Sequence, residues 1–305
     1  MKQNFYTPVK SLGVLLLTVG FLGACSTEKA NQKEKKDVKI EREENRFTSL
    51  DEALKKPARV KELNLRGSNL SKLPEEFVQF KNLQRLYLEG NPNLDWAAVL
   101  NTLATLPDLQ EVSLAENNLK ILPENIDKLA HVTTLWLDNN PELDWAKAFT
   151  ALAKMPALRD LSLNEAGFKA LPDEIGQLKN LKRLSLNFNP LKNLPEALTG
   201  LEKLEIIELS NNKELSAIQA FGILAKVRTL KNVLFSQNMM MAVPADLAKM
   251  ENLEILWLDG NQIEQIPDVF TSLKKLKTLR LDGNPLEIQA EEKLKAMLPN
   301  TQLTL

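Results

Sequence analysis

Cysteine and histidine are almost absent from this sequence of 305 residues, which contains one of each, Cys25 and His131. One cysteine cannot form an internal disulfide, and the two residues together are too few for a four-ligand zinc site. They also provide no conventional Cys/His nucleophilic pair. The composition therefore excludes much of metal and nucleophilic chemistry, and we expect no cofactor.

A surplus of either charge is also missing. The chain has 39 Lys and Arg against 40 Asp and Glu, which gives a formal net charge of −1, and 44% of its residues are hydrophobic. Nucleic-acid binding depends on clustered basic side chains that neutralise phosphates. The sequence therefore gives no electrostatic reason to expect a nucleic acid as the partner, and its composition is that of a globular protein.

Long hydrophobic runs are confined to the first residues of the sequence. Lys2 and Lys10 precede an uncharged apolar run at residues 11–24, SLGVLLLTVGFLGA. This order predicts a secretory signal peptide over residues 1–24. A transmembrane helix is the alternative, but the run would rise only about 21 Å against a hydrocarbon core of about 30 Å.

The apolar run ends in Leu22, Gly23, Ala24 and Cys25, a sequence that resembles the lipobox of bacterial lipoproteins. The resemblance implies that Cys25 becomes the first mature residue and carries fatty acyl chains such as palmitate, which together give stable membrane anchoring. Ser26 follows the cysteine, and in lipoproteins of double-membraned bacteria this implies the outer membrane, on either face. We therefore expect a lipid-anchored protein of a bacterial cell envelope.

Residues 25–46 are predicted to form a linker after the acylated cysteine. Between Ser26 and Arg46 there are seven Lys or Arg and six Asp or Glu, and the only apolar residues are Ala30, Val38 and Ile40. Such a segment cannot bury a core. We interpret it as a solvated spacer, with an electrostatic docking segment as the alternative.

Residues 60–305 repeat one motif. Ten apolar positions recur at spacings of 23 or 26 residues: Val60, Leu83, Leu109, Val132, Leu158, Leu181, Leu204, Leu230, Leu253 and Leu276. Each unit reads LxxLxLxxN, as in Leu83, Leu86, Leu88 and Asn91. This pattern resembles the leucine-rich repeat family. The resemblance implies an α/β solenoid, or horseshoe, in which a parallel concave sheet is backed by short convex helices and turns.

The repeat pattern makes specific predictions for each unit. The alternating LxL core predicts a short strand with one buried face. The ninth position is Asn in eight of the ten units and is interrupted by Ser68 and Ala166; we expect these amides to bond backbone groups internally rather than a ligand.

Two types of connection complete the units. Six units of 23 residues carry a proline step, at Pro74, Pro123, Pro172, Pro195, Pro244 and Pro267, that predicts a short convex turn. The three units of 26 residues are Ala-rich and amphipathic and predict true helices, in which Trp96 and Trp145 pack in the convex layer.

Both ends of the repeat array are predicted to be capped. The capping box Ser49 to Glu52 predicts a short helix that ends before Pro57, within an N-terminal cap of residues 47–59. At the other end, residues 288–298 predict an amphipathic helix and residues 302–305 a last edge strand. Repeat arrays need such ends to shield their cores.

Large side chains occupy positions predicted to face outward on the concave sheet. Two patches emerge, one aromatic and one largely aliphatic, and Phe188 stands one step toward the ascending loop. Exposed clusters of this kind mark interaction sites, although neighbouring side chains could also cover them. The first patch contains Tyr87, Trp136 and Arg85, and the second contains Ile206, Leu234, Ile255 and Trp257.

No acid–base constellation can be assembled from the remaining residues. Acids on the same face are scattered among the units, and Asp138, Asp259 and Asp282 are more simply turn-forming residues than metal ligands. His131 lies at a repeat junction and is interpreted as a surface residue. We therefore do not expect an enzyme.

The predicted function is that of a monomeric, membrane-anchored lipoprotein that binds a protein or peptide partner on its concave face. Glycan binding is an alternative because aromatic faces also stack on sugar rings. A passive envelope scaffold without a ligand is a third reading of the same sequence.

Overall fold

The computed structural model describes residues 44–305. Its central element is one open, entirely parallel sheet in which the strands follow one another in chain order. Every strand except the first contains three residues, because only the LxL core of each unit alternates between buried and outward-facing positions. The strands are β1 (Arg46–Phe47), β2 (Glu62–Asn64), β3 (Arg85–Tyr87), β4 (Glu111–Ser113), β5 (Thr134–Trp136), β6 (Asp160–Ser162), β7 (Arg183–Ser185), β8 (Ile206–Glu208), β9 (Asn232–Leu234), β10 (Ile255–Trp257), β11 (Thr278–Arg280) and β12 (Gln302–Thr304).

The strand register places equivalent positions of successive units beside one another. Leu63 pairs with Leu86, and Leu86 pairs with Val112. The middle residue of each strand from β2 to β11 is buried, so these side chains form a continuous apolar core along the array. The residues before and after it face the opposite side, and this arrangement gives the sheet one exposed face.

The convex side is built as the two unit lengths predict. Each 23-residue unit carries a short 3-10 helix directly after its proline, and each 26-residue unit carries an α-helix whose N-cap side chain accepts a backbone hydrogen bond. The 3-10 helices of these units are Glu75–Gln79, Glu124–Lys128, Asp173–Gln177, Glu196–Gly200, Ala245–Lys249 and Asp268–Ser272. The α-helices are α2 (Trp96–Leu103), α3 (Trp145–Leu152) and α4 (Ala217–Leu224).

The convex tryptophans pack as predicted. Trp145 is 7% exposed, and its ring centroid lies 5.8 Å from that of Phe149 and 4.9 Å from that of Phe168. Trp96 is partly buried against the same core. The interpretation of both residues as convex packing is confirmed.

The N-terminal cap contains one strand that the sequence analysis does not predict. Helix α1 (Leu50–Leu54) begins after Ser49, whose Oγ accepts a hydrogen bond from the backbone N–H of Glu52, as the capping box predicts. A 3-10 turn follows at Pro57–Arg59. Strand β1 precedes the helix and pairs with β2, so the strands extend beyond the ten repeated units.

The C-terminal cap agrees with its prediction apart from the start of the helix. Helix α5 (Ala290–Met297) begins after Ile288, which is fully exposed, and buries Ala290 and Leu294. Strand β12 then pairs with β11 as the last strand of the described sheet. The short, polar β12 presents little edge for pairing with another chain.

The repeated asparagines, which we call the asparagine ladder, bond backbone groups internally. In one unit, Asn91 Nδ2 donates to the carbonyls of Leu65 at 2.9 Å and Leu88 at 3.0 Å, and Asn91 Oδ1 accepts from the N–H of Leu70 at 3.0 Å. Each asparagine thus joins its own turn to the unit before it. The structural interpretation of these residues is confirmed.

The predicted signal peptide, Cys25 and nearly all of the predicted linker lie outside the described residues. In the part of the chain that the structure describes, no helix has the length and apolar character needed to cross a membrane.

Candidate binding surface

The exposed face of the sheet consists of parallel columns of side chains, one from each position of the repeated strand. The last residue of each three-residue strand forms the central column, and the residue two positions later forms a second column, which we call the turn column. The central column contains Asn64, Tyr87, Ser113, Trp136, Ser162, Ser185, Glu208, Leu234, Trp257, Arg280 and Thr304. The turn column contains Arg66, Glu89, Ala115, Asp138, Asn164, Asn187, Ser210, Ser236, Asp259 and Asp282.

The structure brings Tyr87 and Trp136 of the first patch into contact. Their strands are separated by β4, a distance of about 10 Å, but their ring centroids lie only 6.0 Å apart with an interplanar angle of 40°. Ser113 lies between them in register, is 1% exposed, and leaves space for the two rings to lean together. Its Oγ is buried and has no hydrogen-bond partner among the described residues.

Several carboxylates lie close enough to the Tyr87 ring to affect its hydroxyl group. Burial raises the pKa of the Tyr87 hydroxyl, the carboxylates of Glu62, Glu111 and Glu89 raise it further, and Arg85 partly opposes them. Burial is the largest cause of this pKa shift, and the carboxylates add a smaller negative electrostatic contribution around the ring.

Arg85, the third member of the first patch, is held by an acid within the sheet. Its Nε lies 2.8 Å from Oε2 of Glu62, a carboxylate that is 3% exposed and also binds Nε of Arg46 at 2.9 Å. A buried carboxylate needs such partners, and two guanidinium groups supply them. In the unbound chain, Arg85 therefore acts first as a structural counter-ion.

The second patch is also formed, but part of it is covered. Leu234 and Trp257 are neighbours in register, Ile255 lies on the same strand as Trp257, and Ile206 lies two strands away across Asn232. The guanidinium carbon of Arg280 lies 4.8 Å from the centroid of the Trp257 ring, so one face of that ring carries a cation–π contact.

Phe188 belongs to neither patch. It lies in the turn that follows β7, has a φ of 58°, and is 54% exposed. Its backbone N–H donates to the carbonyl of Ser210 in the next unit. Phe188 therefore presents an exposed side chain in the turn, one residue past the turn column.

Ion pairs separate the two patches. Arg183 on β7 lies between Asp160 on β6 and Glu208 on β8. Its Nε is 3.7 Å from Oδ1 of Asp160, and its Nη1 is 3.0 Å from Oε1 of Glu208. Burial raises the pKa of Asp160, and Arg183 opposes that shift. The middle of the face is thus charged and internally paired.

A hydrogen-bonded chain in the turn column was missed by the sequence analysis. Oδ1 of Asp138 accepts from the N–H of Asn164 at 2.6 Å, Oδ1 of Asn164 accepts from the N–H of Asn187 at 2.7 Å, and Oδ1 of Asn187 accepts from the N–H of Ser210 at 2.8 Å. The signal was present in the sequence, because short polar side chains recur two residues after the strand.

Asp138 differs from the amides that follow it because it can ionise. Burial raises its pKa to about 6, and the carboxylates of Glu165 and Glu89 also raise it. Hydrogen bonds from the Ser162 hydroxyl at 2.6 Å and from the Asn164 N–H act in the opposite direction. Asp138 therefore carries its charge at neutral pH in an unfavourable environment.

Outside the patches, the sequence analysis interpreted His131 as a surface residue and Asp259 as a turn-forming residue. His131 is exposed at its repeat junction, as interpreted from the sequence. Asp259 accepts a hydrogen bond from Ser236 at 2.7 Å and lies 3.7 Å from Arg280. Within residues 44–305, no group of His, Cys, Asp and Glu side chains is arranged to hold a metal ion.

Comparisons with known proteins support the fold. A leucine-rich repeat family model matches residues 156–213 and 228–286. No curated protein matches the chain. The matched residues cover repeats on both sides of α4.

Three solved structures are similar to the chain. TLR13, in its complex with ssRNA13, is 27% identical with a TM-score of 0.63; the match covers 81% of this chain and 36% of TLR13, so the chain spans about a third of that protein. An internalin, InlF, of Listeria monocytogenes is 20% identical with a TM-score of 0.51, over 83% of this chain and 84% of the internalin. A leucine-rich repeat protein of Leptospira interrogans is 20% identical with a TM-score of 0.35, over 85% and 99% of the two chains.

The described part of the chain is therefore an α/β solenoid with a parallel sheet on one side and short helices and turns on the other. More particularly, it is a leucine-rich repeat solenoid, since its motif, register and structural neighbours agree. Such repeats are binding scaffolds, because stacking leaves an extended concave surface.

Proposed function

We propose that this protein is a lipid-anchored leucine-rich repeat lipoprotein of a bacterial cell envelope that binds a protein or peptide partner, as a monomer, through its concave face. The observation that carries the proposal is the aromatic contact between Tyr87 and Trp136 on the exposed face of the sheet. Interface energy is concentrated in Trp, Tyr and Arg side chains, which this face provides.

The second patch supports the same proposal. Ile206, Leu234, Ile255 and Trp257 place partly exposed apolar surface on the same face, where a folded solenoid gains nothing from it. The two patches lie on either side of the charged middle of the face, on β3 to β5 and on β8 to β10, so one extended partner would contact both.

The partner-binding proposal is tested by crosslinking on intact cells followed by mass spectrometry. We expect Trp136→Ala and Trp257→Ala each to reduce a reproducible crosslinked partner about tenfold or more, as truncated interface anchors do. Ile218→Ala is the matched control, because Ile218 is 75% exposed on the convex helix α4. Equal loss in all three variants, or no loss in either tryptophan variant, would contradict the concave site.

The anchoring proposal rests on the lipobox resemblance at Cys25 and has its own test. Cys25→Ser removes the acylated sulfur, and we expect the protein to leave the outer-membrane fraction and to lose labelling by a palmitate analogue. Unchanged fractionation and labelling would refute the anchor without affecting the concave site.

Glycan binding and a passive scaffold are outcomes that the same experiments distinguish. Glycan binding predicts saturable binding to a polysaccharide array. If that binding is lost with Trp136→Ala and no crosslinked protein is found, the ligand of this face is a glycan and not a peptide. A deletion phenotype that survives both tryptophan changes but not Cys25→Ser would identify a scaffold without a ligand on this face.

A further inference from the structure

The turn column places two carboxylates beside the aromatic pair. Glu89 lies two residues after Tyr87, and Asp138 lies two residues after Trp136, so the same two units supply an aromatic ring and an acid each. In the central and turn columns, the unit between them carries only small residues: Ser113 is 1% exposed and Ala115 is 5% exposed. The central column thus supplies two aromatic rings and the turn column supplies two carboxylates over the same three units, and we call this stretch of the face the notch.

The acids of this notch are not neutralised within the described chain. Oε2 of Glu89 is buried and accepts no hydrogen bond from a described residue. Asp138 lies in the electrostatic fields of Glu89 and Glu165, both of which disfavour its charged form. The nearby guanidinium groups are occupied, because Arg85 pairs with Glu62 and Arg66 pairs with Glu116.

The charge at position 138 is not needed for the fold. Asn164 and Asn187 occupy the same column and accept the same backbone hydrogen bond through an amide oxygen. An amide at position 138 would make this bond without the cost of burying a charge. The backbone hydrogen bond alone therefore does not account for a carboxylate at position 138, and a cationic ligand would compensate its charge.

We propose that the notch formed by Tyr87, Trp136, Glu89 and Asp138 binds a basic side chain, an ammonium or guanidinium group, of the partner. This inference rests on the proposed concave function and names the chemistry of its ligand. Aromatic faces attract cations within about 6 Å, and carboxylates supply the charge-assisted acceptors. A sugar hydroxyl could donate to these acids but would leave their repulsion in place.

Isothermal titration of the full chain with an acetylated, amidated hexalysine peptide at neutral pH tests the proposal. We expect saturable binding that is absent with the same peptide carrying acetylated lysines, and a hexaarginine peptide separates ammonium from guanidinium preference. Glu89→Gln and Asp138→Asn should each weaken binding about tenfold or more, as expected for loss of a charge-assisted contact.

Asp259→Asn is the matched control. Asp259 lies in the same column and accepts a hydrogen bond from a serine hydroxyl, as Asp138 does, and the variant changes net charge equally. Unchanged affinity in this variant together with losses in the other two supports the notch. Equal losses in all three, unchanged affinity in the notch variants, or equal binding of the acetylated peptide would overturn it.

The inference and the proposed function fail in different ways. A crosslinked partner that is lost with Trp257→Ala but retained with Glu89→Gln and Asp138→Asn leaves the concave function intact and rejects the cation site. Hexalysine binding by the unchanged chain that is lost with Glu89→Gln and Asp138→Asn, in the absence of any crosslinked partner, supports the cation site and rejects the protein partner.

Discussion

The carboxyl group of Asp138 has a pKa of about 6 in the folded chain, against an ordinary value of 3.8. The folded state therefore binds the proton more tightly than the unfolded state, and stability falls as the pH rises through this interval. Above about pH 6 the full reduction in the free energy of unfolding is reached, up to about 3 kcal/mol by linkage. Glu89 and Glu165 contribute to this shift through repulsion, after the larger effect of burial.

Asp138→Asn should remove the destabilisation that the ionised carboxylate causes. We expect the variant to be more stable than the wild type by up to about 3 kcal/mol at neutral pH, with the advantage shrinking toward pH 4. Urea unfolding of both proteins across this pH range measures the difference and cancels the titration of other groups. An advantage that does not change with pH would show that Asp138 is not the titrating group.

Ala166 interrupts the asparagine ladder, although the backbone around it has the same conformation as in units that carry asparagine. In equivalent units, Oδ1 of Asn117 accepts from the N–H of Asn91 at 2.6 Å, and Oδ1 of Asn238 accepts from the N–H of Asn212 at 2.6 Å. Ala166 offers no such oxygen to the N–H of Asn140. Positive φ values at the residues on either side recur in all three units.

Ala166→Asn should therefore stabilise the protein by about 1 kcal/mol, the net contribution of one hydrogen bond. The shift in urea midpoint measures it, and Ala170→Asn, at an exposed position of the same unit, is the control. A destabilised Ala166→Asn protein would mean that the site has closed around the smaller side chain.

The sequence predicted the roles of some individual residues but not the side-chain contacts of others. The role of the asparagine ladder followed from its position in each repeat. The ring contact between Tyr87 and Trp136 did not, since the strand spacing of about 10 Å conceals how far two long side chains lean over Ser113. The pairing of Arg85 with Glu62 and the contact of Arg280 with Trp257 likewise depend on side-chain direction.

At the scale of elements, unit length decides how the convex side is built. The 26-residue units have room for two turns of α-helix, and the 23-residue units close with a shorter 3-10 helix after proline. These lengths and prolines were readable from the sequence. Strand β1 was not, because two residues outside the repeats carry no periodicity.

Close packing between neighbouring 3-10 helices leads to a paired prediction for two glycines. A Cβ at Gly176 would lie 2.5 Å from the carbonyl oxygen of Ala197, whereas a Cβ at Gly222, inside α4, would meet nothing nearer than 3.6 Å. Gly176→Ala should destabilise the protein by about 1 to 3 kcal/mol through overpacking. Gly222→Ala should stabilise it by about 0.5 to 1 kcal/mol through helix propensity. Urea unfolding measures both, and equal effects of the two changes would contradict this packing argument.

At the scale of the whole solenoid, the buried core of each unit packs mainly against the cores of the adjacent units, so core stability is approximately a sum of local interfaces. Longer contacts, such as Tyr87 with Trp136 and Arg66 with Glu116, join outward-facing side chains across an intervening unit. Caps at both ends limit fraying, and the short strands β1 and β12 end the described sheet with little exposed edge. The repeat spacing predicted this architecture, since a fixed period leaves few other ways to bury one apolar stripe per unit. The same spacing could not predict which outward-facing residues act together.

Leu186→Ala tests this local coupling. Leu186 is fully buried directly after β7, near the middle of the array, and its truncation should cost about 2 to 5 kcal/mol in urea unfolding. Because core contacts pass mainly between adjacent units, hydrogen exchange should accelerate most in β6, β7 and β8 and least near the caps. Leu281→Ala, at an equally buried position next to the C-terminal cap, should instead accelerate exchange in β11 and β12. Uniform acceleration over all described strands in both variants would show that the solenoid opens as a single cooperative unit, without local coupling.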